Sequence, residues 1–420
     1  MQSNKCEIIG VGDEILAGHC GKSSFHAARI LSGEGIDINR ITHTGDKKRE
    51  IKQVLKEITS RSSFIVIIGG TGSTADDNTV IALSEFLNKK LQFSRKAMEN
   101  VAAYFSRRGL EVPRHCDSQA EILEDARVLK NKKGSVPGQL LKTEKNIFLI
   151  LPGPLKEVDY ILKNRMDSSI LKKYGRNIRK EAVLRTTGIC EGEISEFLKD
   201  IIETERHLEE EEVGFCFKQS PAGVDIIISC IGDNEILVDE LLHKTKNEIY
   251  GEIEFHIYGE DKDTLEEKVR DLLTKNRKTI SVAESCTGGL LSSKITDAPG
   301  SSVYFETGMV TYSNRAKKEI LKIDEKLISK DGPVSKEVAK EMVEKIMNKT
   351  GADVSLSVTG FAGPEGLKTD RPGTGYIGIK IFNDTTIKKV EFNGNRKEVK
   401  TKFAYRALDM VRQYFEKKKK

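Results

Sequence analysis

The chain has 420 residues, 32% of them charged, 38% hydrophobic and 6% aromatic, with no Trp and a formal net charge of +5. At roughly 100–200 residues per domain this length suggests two to four domains; 35 Gly and 9 Pro are too few for a collagen-like or low-complexity chain. Lys and Arg (69) barely exceed Asp and Glu (64), and no basic stripe stands out, so nucleic acid is not an expected partner. No run approaches 18 apolar residues, and Met1–Cys6 is not an apolar signal region, so no membrane span or leader is expected. Seven scattered Cys without a C-x-x-C argue against a disulfide framework or a zinc ribbon, and predict a reduced, cytoplasmic protein. The closing Lys417–Lys420 run reads as a solvated tail.

In chain order, short apolar runs at Cys6–Val11, Ile36–Ile41, Phe64–Ile68 and Ile147–Leu151 alternate with helical stretches near Ser24–Leu31, Lys48–Ser60 and Thr79–Asn88. That alternation predicts a doubly wound, parallel α/β sheet over residues 1–170. Residues 171–258 read as a small α+β module. It has strands at Ala182–Thr186, Val213–Phe217 and Val224–Cys230, helices at Glu191–Ile202 and Asn234–Glu248, and an acidic run at Glu209–Glu212. Tyr258–Lys262 is the expected linker. From 259 to 420 a third α/β unit is expected. Its strands are predicted at Thr279–Ala283, Gly308–Thr311, Val354–Val358, Tyr376–Ile381 and Lys388–Phe392. Its helices are predicted at Leu265–Lys275, Leu290–Ile295, Lys317–Leu321, Ser335–Asn348 and Arg396–Tyr414.

The sharpest chemical signal lies in this third unit. Ser285 sits where a buried strand turns into a helix through Thr287-Gly288-Gly289. Such a turn offers free backbone amides to an oxyanion or a phosphate; the plain alternative is that Ser285 or Thr287 only caps the helix. Tyr312 and Lys317 follow a second strand end, and Thr359-Gly360-Phe-Ala-Gly363 a third. Strand ends with glycine-rich loops on one sheet edge are where such folds bind ligands. A desolvated Lys can lose its charge and take the proton of a Ser, although a Lys early in a helix is more often a surface residue.

Ala283-Glu-Ser-Cys-Thr-Gly-Gly289, Pro299-Gly-Ser-Ser302, Thr311-Tyr-Ser-Asn314 with Lys317, and Val358-Thr-Gly-Phe-Ala-Gly-Pro364 together resemble the C-terminal domain of the CinA family, competence/damage-inducible protein A. The resemblance implies a nicotinamide mononucleotide amidohydrolase of pyridine-nucleotide salvage, with Ser285 as nucleophile, Lys317 as its base and Tyr312 assisting. It implies no cofactor for the deamidase, and Thr287, Gly288, Gly289, Thr359, Gly360 and Gly363 at the substrate. The chain departs from the family at Glu365-Gly366-Leu367, where a Gly-Gly pair often follows Gly-Pro.

The glycine-rich turn Gly69-Gly70-Thr71-Gly72, with Asp76, Asp77 and Thr79 before the next helix, can cradle phosphates, and the two Asp could hold a cation; capping of the helix is the alternative. Gly21-Lys22-Ser23 is not a P-loop, because Leu16 stands where the first Gly is needed. Gly10-Val-Gly-Asp-Glu-Ile-Leu-Ala-Gly18, the Gly69–Thr79 stretch and Leu151-Pro-Gly-Pro154 resemble the molybdopterin-binding-type domain that begins CinA proteins. In some members that domain resembles an ADP-ribose pyrophosphatase requiring a divalent cation (Mg, Mn or Co). Cys20–Ser24 stands where the family has an Asn-Thr-Asn element, and Gly72-Ser73-Thr74 replaces its Gly-Pro-Thr. The middle module matches the position of the family's KH-like domain but has no G-x-x-G clamp, which favours a spacer or dimer-forming role. The resemblance implies small nucleotide substrates and a homodimer. Two other readings stay open: a pterin- or nucleotide-binding protein without hydrolase activity, and an adaptor in DNA uptake.

Overall fold

The computed structural model describes residues 3–19, 21–175, 178–205, 212–363 and 372–417. Cys20, most of the Glu209–Glu212 run, Pro364 with the Glu365–Leu367 departure, and the last three lysines lie outside the described residues. Contacts divide the chain into two compact units, one of residues 1–180 with 231–239, the other of 181–230 with 240–420. No helix among the described residues is long and apolar enough to cross a membrane.

In the first unit, β1 (Ser3–Val11), β2 (Ile38–Thr44), β3 (Ser62–Ile68) and β8 (Ile147–Leu151) are the four apolar runs read from the sequence. They pair in parallel in the order β2-β1-β3-β8. Alternation sorts their side chains onto two faces. Ile8, Phe64 and Val66 pack with Ala27, Leu31, Val158 and Ile161, while Ile9, Ile65 and Ile67 pack with Ile51, Leu55, Ala82 and Leu83. Helices therefore cover both faces, as a doubly wound sheet requires. The sheet is mixed rather than parallel throughout. β7 (Gly138–Lys142) and β6 (Arg127–Leu129) extend it antiparallel beyond β8, and β4 (Leu91–Phe93) with β5 (Glu121–Leu123) forms a separate ribbon. These pieces of three to five residues are too short to show a period, so the sequence reading passed over them.

The second unit holds two sheets. The first runs β10 (Glu212–Gln219), β11 (Val224–Gly232), β9 (Ile178–Thr186), β12 (Ile257–Glu260) in that order. β12 corrects an expectation: Tyr258 and its neighbours are a fourth strand, antiparallel to β9, with Ile257 and Tyr258 buried, and not a linker. The second sheet takes the order β14 (Phe305–Val310), β13 (Ile280–Glu284), β15 (Val354–Gly360), β16 (Thr374–Ile381), β17 (Asp384–Glu391), parallel around β13 and antiparallel beyond β15. Val354, Leu356 and Val358 of β15 face the helices Leu265–Lys275 and Arg396–Lys417. Ser355 and Ser357 face the other way and donate to the Val343 and Ala339 carbonyls of the helix Lys336–Thr350.

The helix Arg396–Lys417 carries a buried charge cluster. Asp409 and Arg412 are fully buried. Asp409 Oδ1 accepts from Arg412 Nε (2.9 Å) and Nη2 (2.8 Å), and its Oδ2 accepts from Arg406 (2.5 Å) and Gln413 (2.8 Å). Arg412 also donates to Glu416 (2.6 Å) and to the Phe255 carbonyl (2.9 Å), which pins the segment leading into β12. Removing one member of a buried pair strands the other charge. Asp409→Ala should therefore destabilise this unit by about 3–5 kcal/mol in urea unfolding followed by circular dichroism; a loss near that of an exposed ion pair would mean Arg412 finds another partner.

Candidate functional site

Every residue of β13 is buried, and it delivers Ser285 to the end of the sheet. There the Ser285 amide donates to the Val358 carbonyl of β15 (2.9 Å), which locks the turn to the neighbouring strand. Ser285 is 7% exposed. The helix Asn314–Leu321 begins just after β14, and its first turn is closed by Ser313, whose hydroxyl accepts from the Ala316 amide (3.0 Å). Lys317 sits one turn in. A helical side chain leans back towards the N-terminus, and here that direction carries Lys317 inward to 1% exposure instead of out to solvent.

Lys317 Nζ lies 2.9 Å from Ser285 Oγ, 3.2 Å from the Thr311 carbonyl and 3.5 Å from the Tyr312 carbonyl. Burial pulls its pKa down from 10.5 to about 8, with the Cys286 side chain acting the other way. A neutral amine has two N–H groups and one lone pair. The two carbonyls can take the N–H groups, which leaves the lone pair for the Ser285 O–H. The neighbouring Cys286 is no rival nucleophile, because burial pushes its thiol up to about 12.

The turn after Ser285 differs from the expectation. Gly288 and Gly289 adopt φ of +61° and +95°, a region that favours glycine, but their amides are already used. Gly288 N–H bonds the Ser285 carbonyl (3.1 Å) and Gly289 N–H the Glu284 carboxylate (3.0 Å). The amides of Cys286 and Thr287 have no backbone acceptor among the described residues and lie against the Cys286 sulfur. The helix Leu290–Asp297 is capped neither by Ser285 nor by Thr287 but by Glu284, a residue the sequence reading passed over.

Tyr312 is brought to the pair through its main chain. Its side chain is 57% exposed and its hydroxyl accepts from Arg396 (2.9 Å). Among the described residues its side chain makes no hydrogen bond to Ser285 or Lys317. Thr359 is fully buried and its hydroxyl donates to the Pro333 carbonyl (2.8 Å), so it braces β15. Gly360 is a packing glycine: a Cβ there would sit 2.7 Å from the Phe403 ring. Gly363 ends the described stretch. Lys400 was not foreseen; its Nζ lies 3.6 Å from where a Cβ on Gly288 would be. Arg396 of the same helix reaches the Tyr312 hydroxyl.

In the first unit the glycine-rich turn is built as read. Gly69 (φ +101°) passes so close to β1 that a Cβ would be 2.2 Å from the Val11 carbonyl oxygen. Gly70 (φ +60°) packs against Thr79. Thr79 is fully buried. Its hydroxyl donates to the Gly69 carbonyl (2.8 Å) and its amide to the Gly70 carbonyl (2.9 Å), so it clamps the turn. Gly72 faces Asp77, and Thr71 lines a small cavity beside it. Asp76 and Asp77, the pair expected to hold a cation, are placed differently. Asp77 Oδ2 is turned onto the Thr74 amide (2.8 Å) and hydroxyl (2.6 Å), and Asp76 is exposed. Among the described residues, no three His, Cys, Asp or Glu side chains come together in a group able to hold a metal ion.

Comparison with known proteins places these sites in a family context. Residues 262–415 match the family model "CinA C-terminal domain", and residues 7–170 match "Probable molybdopterin binding domain". A CinA-like protein of Endomicrobium trichonymphae is 36% identical over 420 residues, covering 97% of this chain and 98% of the relative. A CinA-like protein of Dictyoglomus thermophilum is 34% identical over 410 residues, with the same coverage.

Thr79→Val keeps the shape of the side chain and removes its bond to Gly69. It should cost about 1–3 kcal/mol, the penalty of an unsatisfied buried carbonyl, measured as a lower urea midpoint. An unchanged midpoint would mean that the turn does not depend on this clamp.

Proposed function

The chain belongs to the CinA family, and from that premise we propose that its second unit hydrolyses the amide of nicotinamide mononucleotide, giving nicotinic acid mononucleotide and ammonia. The observation that carries this reading is the 2.9 Å contact between Ser285 Oγ and a buried Lys317 whose pKa is lowered to about 8. A lysine in that state serves as a general base near neutral pH.

Lys317 takes the Ser285 proton while Oγ attacks the carboxamide carbon. The carbonyl oxygen gains the negative charge, for which the Cys286 and Thr287 amides, now against the weakly accepting Cys286 sulfur, are the adjacent donors. Lys317 hands the proton to the leaving nitrogen, the C–N bond breaks and ammonia departs. Water then attacks the acyl ester. Lys317 takes its proton and returns it to Ser285 as the acid leaves. Lys400 and Arg396 offer the substrate's phosphate a cationic partner. Tyr312 contributes its carbonyl, which helps aim the Lys317 lone pair, and its side chain stands at the rim.

Ammonia release from nicotinamide mononucleotide by the purified chain tests the reading. Ser285→Ala should abolish it in a folded protein; a near wild-type rate would leave a binding protein without hydrolase activity as the better reading. Lys317→Gln should slow turnover by about 10²–10⁴-fold. Lys317→Arg should not restore it, because a guanidinium keeps its proton.

The pH dependence follows from the direction of the Lys317 shift. The group is charged, and useless as a base, below its folded pKa of about 8. Activity should therefore rise with pH on a single limb centred near 8. A rate that is flat from pH 6 to 9 would exclude Lys317 as the base.

A further inference from the structure

The turn that follows Ser285 hangs from one side chain. Glu284 is the last residue of β13 and is 0% exposed. Its Oε2 accepts from the Gly289 amide (3.0 Å) and the Leu291 amide (3.0 Å). Its Oε1 accepts from the Ser292 amide (2.8 Å) and the Ser292 hydroxyl (2.6 Å). Both oxygens are thus used twice, and the N-terminus of the helix Leu290–Asp297 is already filled by a carboxylate of the chain itself.

We propose that Glu284 is a positioning residue for the reaction at Ser285: its carboxylate holds the shape of the 286–289 turn, which keeps the Cys286 and Thr287 amides, bonded only to the weakly accepting Cys286 sulfur, beside Ser285 for the oxyanion, and closes the helix N-terminus to the substrate's phosphate. The proposal rests on the reading of Ser285 as the nucleophile. A helix N-terminus attracts an anion because its first amides lack partners. Here those amides have a fixed partner, and a second anion would meet a like charge in a buried place. The phosphate is then left to cations outside the turn, of which Lys400 is adjacent to Gly288. Between Ser285 and Gly289 the chain runs through two residues at positive φ. Without the carboxylate, three N–H groups, that of Leu291 buried and those of Gly289 and Ser292 partly buried, would lose their acceptor, and the turn would reshape to satisfy them. A glutamine at 284 would set its NH2 group against donors and keep at most one of the two oxygens.

The test reads the nucleophile without assuming a substrate. A fluorophosphonate probe reacts with an activated serine: a bond forms between Oγ and phosphorus, fluoride leaves, the serine proton passes to the base, and the phosphoryl oxygen takes the place of the oxyanion. On the full chain, Glu284→Gln should be labelled at Ser285 about 10- to 100-fold more slowly than wild type, the range set by loss of well-aimed oxyanion donors. The pH midpoint of labelling should stay near the 8 of Lys317, which Glu284 does not touch. A folded Glu284→Gln labelled at the wild-type rate would overturn the proposal, and so would a midpoint displaced by more than a unit. Should Glu284→Gln fail to fold, Ser292→Ala, which removes one of the four bonds and keeps the charge, decides the matter. A slowing of about two- to fivefold supports the proposal and an unchanged rate overturns it. Wild-type protein that is labelled at Ser285 yet releases no ammonia from nicotinamide mononucleotide would defeat the substrate reading alone, with the labelling comparison still deciding the role of Glu284.

Discussion

An ammonium group taken out of water is costly unless it can shed its charge, and the site in the second unit depends on that cost being placed next to Ser285. Lys317 is nearly inaccessible, and among the described residues its hydrogen-bond partners are one hydroxyl and two carbonyls, with no carboxylate. Had an Asp or Glu stood there, the lysine would have stayed charged and formed a structural ion pair. With neutral acceptors only, burial lowers its pKa and leaves a lone pair available. In the proposed reaction Ser285 also needs this neighbour, since a serine hydroxyl alone is a weak nucleophile.

That arrangement requires three strand ends to be held in register. β13 brings Ser285, β14 leads into the helix of Lys317, and β15 fixes the Ser285 amide through Val358. β15 is itself fixed on both faces, by apolar side chains towards the last helix and by serine hydroxyls bonded to the helix Lys336–Thr350. The buried Asp409–Arg412 cluster ties the last helix in turn to the segment before β12. Phe255 and the strand β12 that follows it are therefore joined, within the second unit, to the helix that carries Arg396 and Lys400.

The two glycine-rich turns solve one geometric problem in different ways. At Gly69 and Gly70 the turn is clamped from below by the Thr79 hydroxyl and amide. At Gly288 and Gly289 it is drawn in by a carboxylate from the preceding strand. The first clamp is neutral. The second places a fixed negative charge at a helix N-terminus, which decides what that end of the helix can still attract.

Much of this was legible in the amino-acid sequence. The central strands β1, β3 and β8 of the first unit and β13 and β15 of the second announce themselves as apolar runs, because they are buried on both faces; the edge strands β2, β14 and β17 are half exposed and show a weaker pattern. Ser285, Lys317 and the glycine turns stand out because few residue types suit a strand-to-helix turn that must approach a ligand. The sequence left open whether Ser285 capped a helix and whether Lys317 faced water. Both questions concern distance, and no local pattern encodes the distance between residues 32 positions apart. Tertiary structure decided that Lys317 is buried against Ser285 and that Tyr312 meets Lys317 through its carbonyl while its side chain turns to Arg396. It also decided that Asp77 is used by Thr74, that Tyr258 belongs to a strand, and that Glu284 fills the helix N-terminus. In each case the side chain's partner comes from chain geometry, which sets which donor lies within 3 Å of which acceptor, and residue type alone cannot state it.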